Sequence, residues 1–308
     1  MKTILITGGC GFIGSHLCKY LINNAKVICL DNLLTGSKEN INSLLSNSSF
    51  QYIEHDIIHP FFIEDSIDEI YHLACPASPP KYQKDPILTM KINFIGTLNM
   101  LELAKTKNAK ILLTSTSEIY GEPEVSPQKE TYRGNVNSIG IRSCYDEGKR
   151  LAETLMMEYH RKQNVDIAIA RIFNTYGPFM DAFDGRVISN FIRQAISGEM
   201  ITIYGNGNQT RSFCYIDDQV EGLIKLMASQ YVYPVNIGNT KSFSIQEIAM
   251  KIIEKTGTKS KIINLKLPDD DPTNRKPDIT LANSILHWSP KVELDEGLDR
   301  TIQYFKNR

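Results

Sequence analysis

The chain has 308 residues, 42% of them hydrophobic and 22% charged, and a formal net charge of -1. That balance marks a globular protein with room for a large core, as one two-lobed unit or two domains, and excludes a disordered chain. Near-neutral charge argues against a nucleic acid or an anionic membrane as the main partner, and no apolar run is long enough to span a bilayer.

Met1-Lys2-Thr3 runs straight into strand-like sequence, which leaves no room for a signal peptide. Strand-like runs over residues 3–7, 26–30, 51–54, 69–73, 110–114 and 166–172 alternate with helical patterns over 12–22, 86–106 and 144–163. Asp85 before Pro86 gives a capping side chain followed by proline in the first turn. The repeated strand–helix–strand order predicts an α/β fold, a doubly wound parallel sheet of Rossmann-like type. The connection 121–142 is long and turn-rich, and such loops in compact domains are usually functional. Beyond Arg171 the rhythm changes. A loop over 172–185 is followed by a helix at 187–196, a strand at 201–204, the turn Gly205-Asn206-Gly207-Asn208, a helix at 217–228 and a strand at 234–237. Ser244-Ile245-Gln246-Glu247 is a capping box that opens another helix. Residues 267–277 read as loop, and a last helix is expected near 294–305. This part is expected to form a smaller C-terminal substrate lobe that closes over the sheet.

Chemistry gathers where strands end. Gly8, Gly11 and Gly14 follow the first strand and open the first helix, a spacing that lets backbone N–H groups and a helix N-terminus approach a pyrophosphate. Asp31 ends the second strand, where a carboxylate meets the two ribose hydroxyls of an adenosine and repels a 2′-phosphate, favouring NAD over NADP. Asp56-Ile57 follows the third strand and could edge the adenine; His72-Leu73-Ala74 follows the fourth and could pass close to the dinucleotide. Thr114-Ser115-Thr116-Ser117-Glu118 is a run of hydroxyls with one acid beyond a central strand. Tyr145 and Lys149 stand four apart on one helix face, where an ammonium would pull a phenol toward its anion. The six cysteines (Cys10, Cys18, Cys29, Cys75, Cys144, Cys214) form no C-x-x-C pair. That suits reduced thiols and a cytoplasmic location. The six histidines show no ligand spacing, and no metal is assigned.

Together the segment 7–14, the Ser/Thr cluster, the Tyr145/Lys149 pair and Arg171-Ile172-Phe173-Asn174 resemble the extended short-chain dehydrogenase/reductases acting on nucleotide sugars, over essentially the whole chain. Within that superfamily, residues 74–80, 115–121, 144–150, 184–187 and 275–279 are most similar to UDP-glucuronate decarboxylases. The resemblance implies an NAD-binding domain over 1–173 with about 212–238, and a nucleotide-sugar lobe over 174–211 and 239–308. It implies that Gly8, Gly11, Phe12, Ile13, Gly14, Asp31, Asn32, Thr35, Gly36, Asp56, Ile57, Leu73, Ala74, Thr114, Tyr145, Lys149 and Arg186 hold NAD. Lys91, Ser117, Asn174, Asn190, Tyr204, Arg211 and Arg275 are expected around the UDP-sugar.

The implied chemistry runs through a 4-ketone. Tyr145, assisted by Lys149, deprotonates the C4 hydroxyl, which Thr116 holds, while hydride passes to NAD. The 4-ketone lies β to the C5 carboxylate, so carbon dioxide leaves, C5 is protonated and the hydride returns to C4. Glu118 and Arg275 are expected around the carboxylate and C5, with Arg275 as candidate proton donor or as a bidentate clamp on the carboxylate. Related 4,6-dehydratases carry an Asp where Ser117 stands, and serine supplies no acidic proton at neutral pH. Alternatives are an oxidative decarboxylase that releases a 4-keto pentose and NADH, a 4-epimerase, and a catalytically silent dinucleotide sensor. A homodimer is expected, pairing the helices at 86–106 and 144–163.

Overall fold

The computed structural model describes residues 1–267 and 274–308, so most of the expected 267–277 loop lies outside the described residues. Six strands, β1 (Lys2–Thr7), β2 (Ala25–Asp31), β3 (Phe50–Glu54), β4 (Glu69–His72), β5 (Lys110–Thr116) and β6 (Ile167–Ile172), and a seventh at Pro234–Ile237 form one sheet. Every neighbouring pair is parallel, in the order Pro234–Ile237, β6, β5, β4, β1, β2, β3. The order reverses between β1 and β4, which opens a crevice beyond the carboxyl ends of the strands.

Both faces of the sheet are covered, which is why its strands read as unbroken apolar runs rather than alternating ones. Ile4, Ile6, Val27, Cys29 and Leu112 pack on one face, and Leu5, Ile28, Leu30, Ile111 and Leu113 on the other. The glycine turn feeds α1 (Phe12–Leu21). The expected 86–106 helix is helical throughout but not uniform: Pro86–Lys91 and Thr97–Lys107 are α-helical and Ile92–Gly96 between them is a π-helix. The packing around this turn is tight. A Cβ on Gly96 would stand 2.4 Å from Ile57 Cδ1, and one on Gly148 of the neighbouring Ser143–Gln163 helix 2.9 Å from Asn93. Asp85 caps the first turn as expected, accepting the Leu88 amide.

Beyond β6 the helices Val187–Ser197, Ile245–Thr256 and Leu294–Lys306 pack on one another, and Ser244 and Glu247 form the capping box. Three small sheets tie this region together. Ile201–Tyr204 pairs with Ile262–Leu265, Thr175–Tyr176 pairs with Cys214–Tyr215, and Thr210–Ser212 lies between Ser242–Ser244 and Asn274–Arg275. Several are strands of two or three residues, too short to show periodicity in a sequence. The helix Ile216–Ala228 returns to pack beside β6 and the Pro234–Ile237 strand.

Candidate active site

A cavity of about 1090 Å³ runs along the carboxyl ends of the strands, from the glycine turn past the end of β5 to the C-terminal helices. Of the residues expected at a site, all line it except His72, Lys91 and Arg275.

One end is built for an anion and a ribose. Gly8 has φ +72°, and a Cβ there would stand 2.9 Å from the Ala74 backbone; a Cβ on Gly14 would stand 2.2 Å from the Gly8 carbonyl oxygen. Only glycine permits that turn. Gly11 precedes α1 with no side-chain cap, so the first amides of the helix stay available to a negative ligand. Asp31 accepts the Cys10 amide at 2.9 Å and the Leu33 amide at 2.8 Å, one on each carboxylate oxygen. Each oxygen keeps a lone pair for a hydroxyl. Burial raises the Asp31 pKa and the two amides oppose it. Phe12, Ile13, Asn32, Thr35, Gly36, Asp56, Ile57, Leu73 and Ala74 complete this end, with Asn32 donating to Asp56 at 3.0 Å. The Thr7 hydroxyl accepts the Leu73 and Ala74 amides and draws the exit of β4 against the turn. A glycine cradle too tight for any Cβ, bare helix amides and a ribose-type carboxylate fit a dinucleotide of the NAD kind.

The middle of the cavity holds the reactive groups. β5 ends at Thr116 and the chain turns at once into a 3-10 helix, Ser117–Tyr120, with the Thr116 hydroxyl accepting the Glu118 amide at 3.2 Å. The hydroxyl run divides. Thr114, Ser115, Thr116 and buried Ser117 all line the cavity, but Ser115 spends its hydroxyl on Glu153 at 2.5 Å. Glu153 is in turn held by Arg171 through two bonds of 3.0 and 2.8 Å.

Tyr145 lies against Tyr82 with ring centroids 4.9 Å apart and planes 4° from parallel. Burial raises its pKa, and the nearby Cys75 adds to this; the hydrogen-bonded Thr116 hydroxyl and Arg186 pull the other way. Lys149 stands one turn further along the same helix. Its ammonium donates to the Thr114 carbonyl at 3.0 Å and stands 6.0 Å from the Tyr145 ring centroid, and its own pKa is lowered by burial.

Glu118 is gripped from two sides. Arg142 reaches its Oε2 at 2.6 Å and Arg275 reaches the same oxygen at 3.1 Å. Burial alone would raise the carboxyl, but the two guanidinium groups win and hold it down at about 2. Arg275 is 2% exposed, does not line the cavity, and donates also to the Gly121 carbonyl. Lys91 also stands outside the lining. It sits on the exposed outer side of the Pro86–Lys91 helix, away from the cavity.

Toward the C-terminal region, Asn174, Arg186, Asn190, Tyr204 and Arg211 line the wall. Arg186 donates to the Ala77 carbonyl at 2.9 Å, and Asn190 to Thr202 at 3.4 Å. Sequence reasoning missed Arg142 and Tyr82. Arg142 stands three residues before Tyr145, one helical turn away and so on the same face, and that spacing was the available signal. Asp146 was missed as well. It is buried, and burial followed by the charge of Glu118 pushes its pKa up to about 8.

The sequence profile of the NAD dependent epimerase/dehydratase family matches residues 4–238. UDP-glucuronic acid decarboxylase 6 of Arabidopsis thaliana is 54% identical over 307 residues, spanning 99% of this chain and 89% of that protein. UDP-glucuronic acid decarboxylase 1 of Xenopus tropicalis is 52% identical over 306 residues, spanning 99% and 72%. Among solved structures, UDP-glucuronic acid 4-epimerase from Bacillus cereus, in complex with UDP-glucuronic acid and NAD, superimposes with a TM-score of 0.88 at 32% identity, covering 99% of each chain. With the glycine turn, Asp31, and the Tyr145 and Lys149 helix all on one cavity, the chain belongs to the NAD-dependent epimerase/dehydratase family.

Proposed function

We infer that this enzyme decarboxylates UDP-glucuronate to UDP-xylose through a 4-keto sugar, with NAD regenerated in each cycle. The carrying observation is Glu118, ionised between Arg142 and Arg275 at the sugar end of the cavity beside Thr116 and Tyr145. A 4-epimerase acts at C4 alone and needs no such group toward C5. The greater similarity to decarboxylases, 54% against 32% for the epimerase, points the same way.

Residues 1–173 with about 212–238 hold NAD, and 174–211 with 239–308 hold the nucleotide sugar. When bound, NAD supplies the hydride acceptor and donor for C4 and a ring cation that favours a phenolate nearby. Tyr145 takes the C4 hydroxyl proton, Thr116 orients that hydroxyl, and Lys149 supports the site from the Thr114 carbonyl. Arg142 faces the substrate carboxylate. Loss of carbon dioxide leaves an enolate whose C5 needs a proton, and Glu118, already ionised, cannot give one. Tyr145 keeps its proton for O4 at the end of the cycle. The C5 proton therefore comes from a water that Glu118 and Arg142 position, and one proton is drawn from solvent per carbon dioxide released. Ser117 replaces the acid that elimination of water requires. Asn174, Asn190, Tyr204 and Arg211 take the nucleotide and its diphosphate, and Arg186 bridges to the cofactor.

The chain works as a homodimer, supported by exposed Ile87, Met90, Phe94 and Leu151 on its two long helices. A cytoplasmic location suits the six free cysteines, and no helix among the described residues is long and apolar enough to cross a membrane. The test is to incubate the purified protein with UDP-glucuronate, identify the products and follow the NADH absorbance. UDP-xylose with no accumulating NADH is expected. Stoichiometric NADH with a 4-keto pentose assigns the oxidative decarboxylase instead, UDP-galacturonate assigns the epimerase, and no turnover by folded protein contradicts all three.

A further inference from the structure

Arg275 reaches Glu118 from a strand of two residues, Asn274–Arg275, paired along one edge with Thr210–Ser212. One short edge does not fix the depth of a guanidinium, so the opposite edge matters. Gln128, fully buried in the long connection between β5 and the Ser143–Gln163 helix, supplies it. Its backbone amide donates to the Lys276 carbonyl and the Asp278 amide donates to its carbonyl, both at 2.8 Å. Its side chain closes the grip. Oε1 accepts the Lys276 amide at 2.8 Å, and Nε2 donates to the Val125 carbonyl at 2.7 Å. Asn236 locks the pair by donating to the Gln128 carbonyl at 3.0 Å and the Asp278 carbonyl at 3.1 Å. The Tyr120 hydroxyl, on the same turn as Glu118, donates to Asn236 at 2.8 Å.

We propose that Gln128 is a positioning residue for decarboxylation: its side chain sets the residue after Arg275, and through Arg275 the place of Glu118. The proposal rests on the function inferred above. It separates two halves of the cycle. Oxidation at C4 uses Tyr145, Thr116 and the cofactor, none of which Gln128 touches. Events at C5 depend on Glu118, whose Oε2 loses a donor if Arg275 shifts.

The test compares wild type with Gln128→Met, which keeps the volume and loses both side-chain bonds, and Gln128→Glu, which keeps the acceptor for the Lys276 amide. UDP-xylose formation, KM for UDP-glucuronate and the fraction of enzyme-bound nicotinamide reduced during steady state are measured, with thermal melting and NAD binding as fold controls. For Gln128→Met, kcat is expected to fall at least tenfold with KM changed less than threefold. The reduced fraction should rise above wild type, because C4 is still oxidised while the later steps lag. Gln128→Glu should recover at least a third of the wild-type kcat. A merely structural role lowers kcat with the folded fraction and leaves the reduced fraction unchanged; that result, or a wild-type kcat in Gln128→Met, overturns the proposal. If Gln128→Met melts below the assay temperature, both enzymes are assayed at a lower temperature at which the variant stays folded, and the reduced fraction decides: above wild type supports the role, unchanged refutes it. Wild type that makes no UDP-xylose overturns the functional reading and this proposal with it, whereas failure confined to the variants overturns the proposal alone.

Discussion

Glu118 shows how placement overrides the ordinary behaviour of a side chain. A carboxylate in a closed cavity tends toward its neutral form, yet two guanidinium groups on one oxygen keep this one ionised. Its work is therefore to accept hydrogen bonds, not to give protons. Glu118→Gln should lower UDP-xylose formation by about a hundredfold, the scale of misplacing a reacting group by about an ångström, while NAD binding stays at the wild-type level. Near-normal product formation contradicts the assignment. Asp146 behaves in the opposite way, with its pKa raised to about 8 by burial and by Glu118. A carboxyl raised in the folded state binds more protons folded than unfolded, so its share of stability falls as pH climbs from the usual carboxylate range toward about 8. Asp146→Asn removes that loss. The melting temperature of the variant should gain on wild type steadily between about pH 5 and pH 8, and parallel curves refute the assigned titration.

At the scale of elements, the strand ends do the positioning and the helices deliver partners to them. The carboxyl end of β5 presents Thr114 and Thr116, the following 3-10 turn presents Glu118, and the Ser143–Gln163 helix brings Tyr145 and Lys149. The Pro86–Lys107 region brings Ile92 to the cavity and turns an apolar stripe outward. Ile87, Met90 and Phe94 recur at helical spacing and are exposed, with Lys91 among them. That stripe explains why Lys91 lies off the cavity. In the proposed dimer Phe94→Glu buries a charge in the contact, so the variant should elute as a monomer with an unchanged circular dichroism spectrum while wild type elutes at twice the chain mass. Wild type running as a monomer refutes the dimer. The strands and long helices were legible because each is a sustained apolar run or carries its own cap, as at Asp85 and Ser244. The two-residue strand carrying Arg275 was not, because its partners are distant in sequence and two residues carry no period.

For the whole molecule, one cavity gathers what the sequence scatters. Gly8, Asp31, Thr116, Tyr145, Asn174 and Arg211 span more than half the chain and meet along one crevice. The motifs that repeat a local geometry could be read in advance: the glycine turn, the carboxylate ending β2, the Tyr145–Lys149 spacing. The depth of Arg275 and the double grip on Glu118 could not, since they depend on how the 121–142 connection folds against residues 274–278. In the proposed cycle a hydride leaves C4 and returns to the same sugar after carbon dioxide has gone. UDP-glucuronate deuterated at C4, turned over by the purified enzyme in ordinary water, tests it directly. UDP-xylose with deuterium retained at C4 is expected; label lost from C4, or a product that keeps its carboxylate, contradicts the cycle.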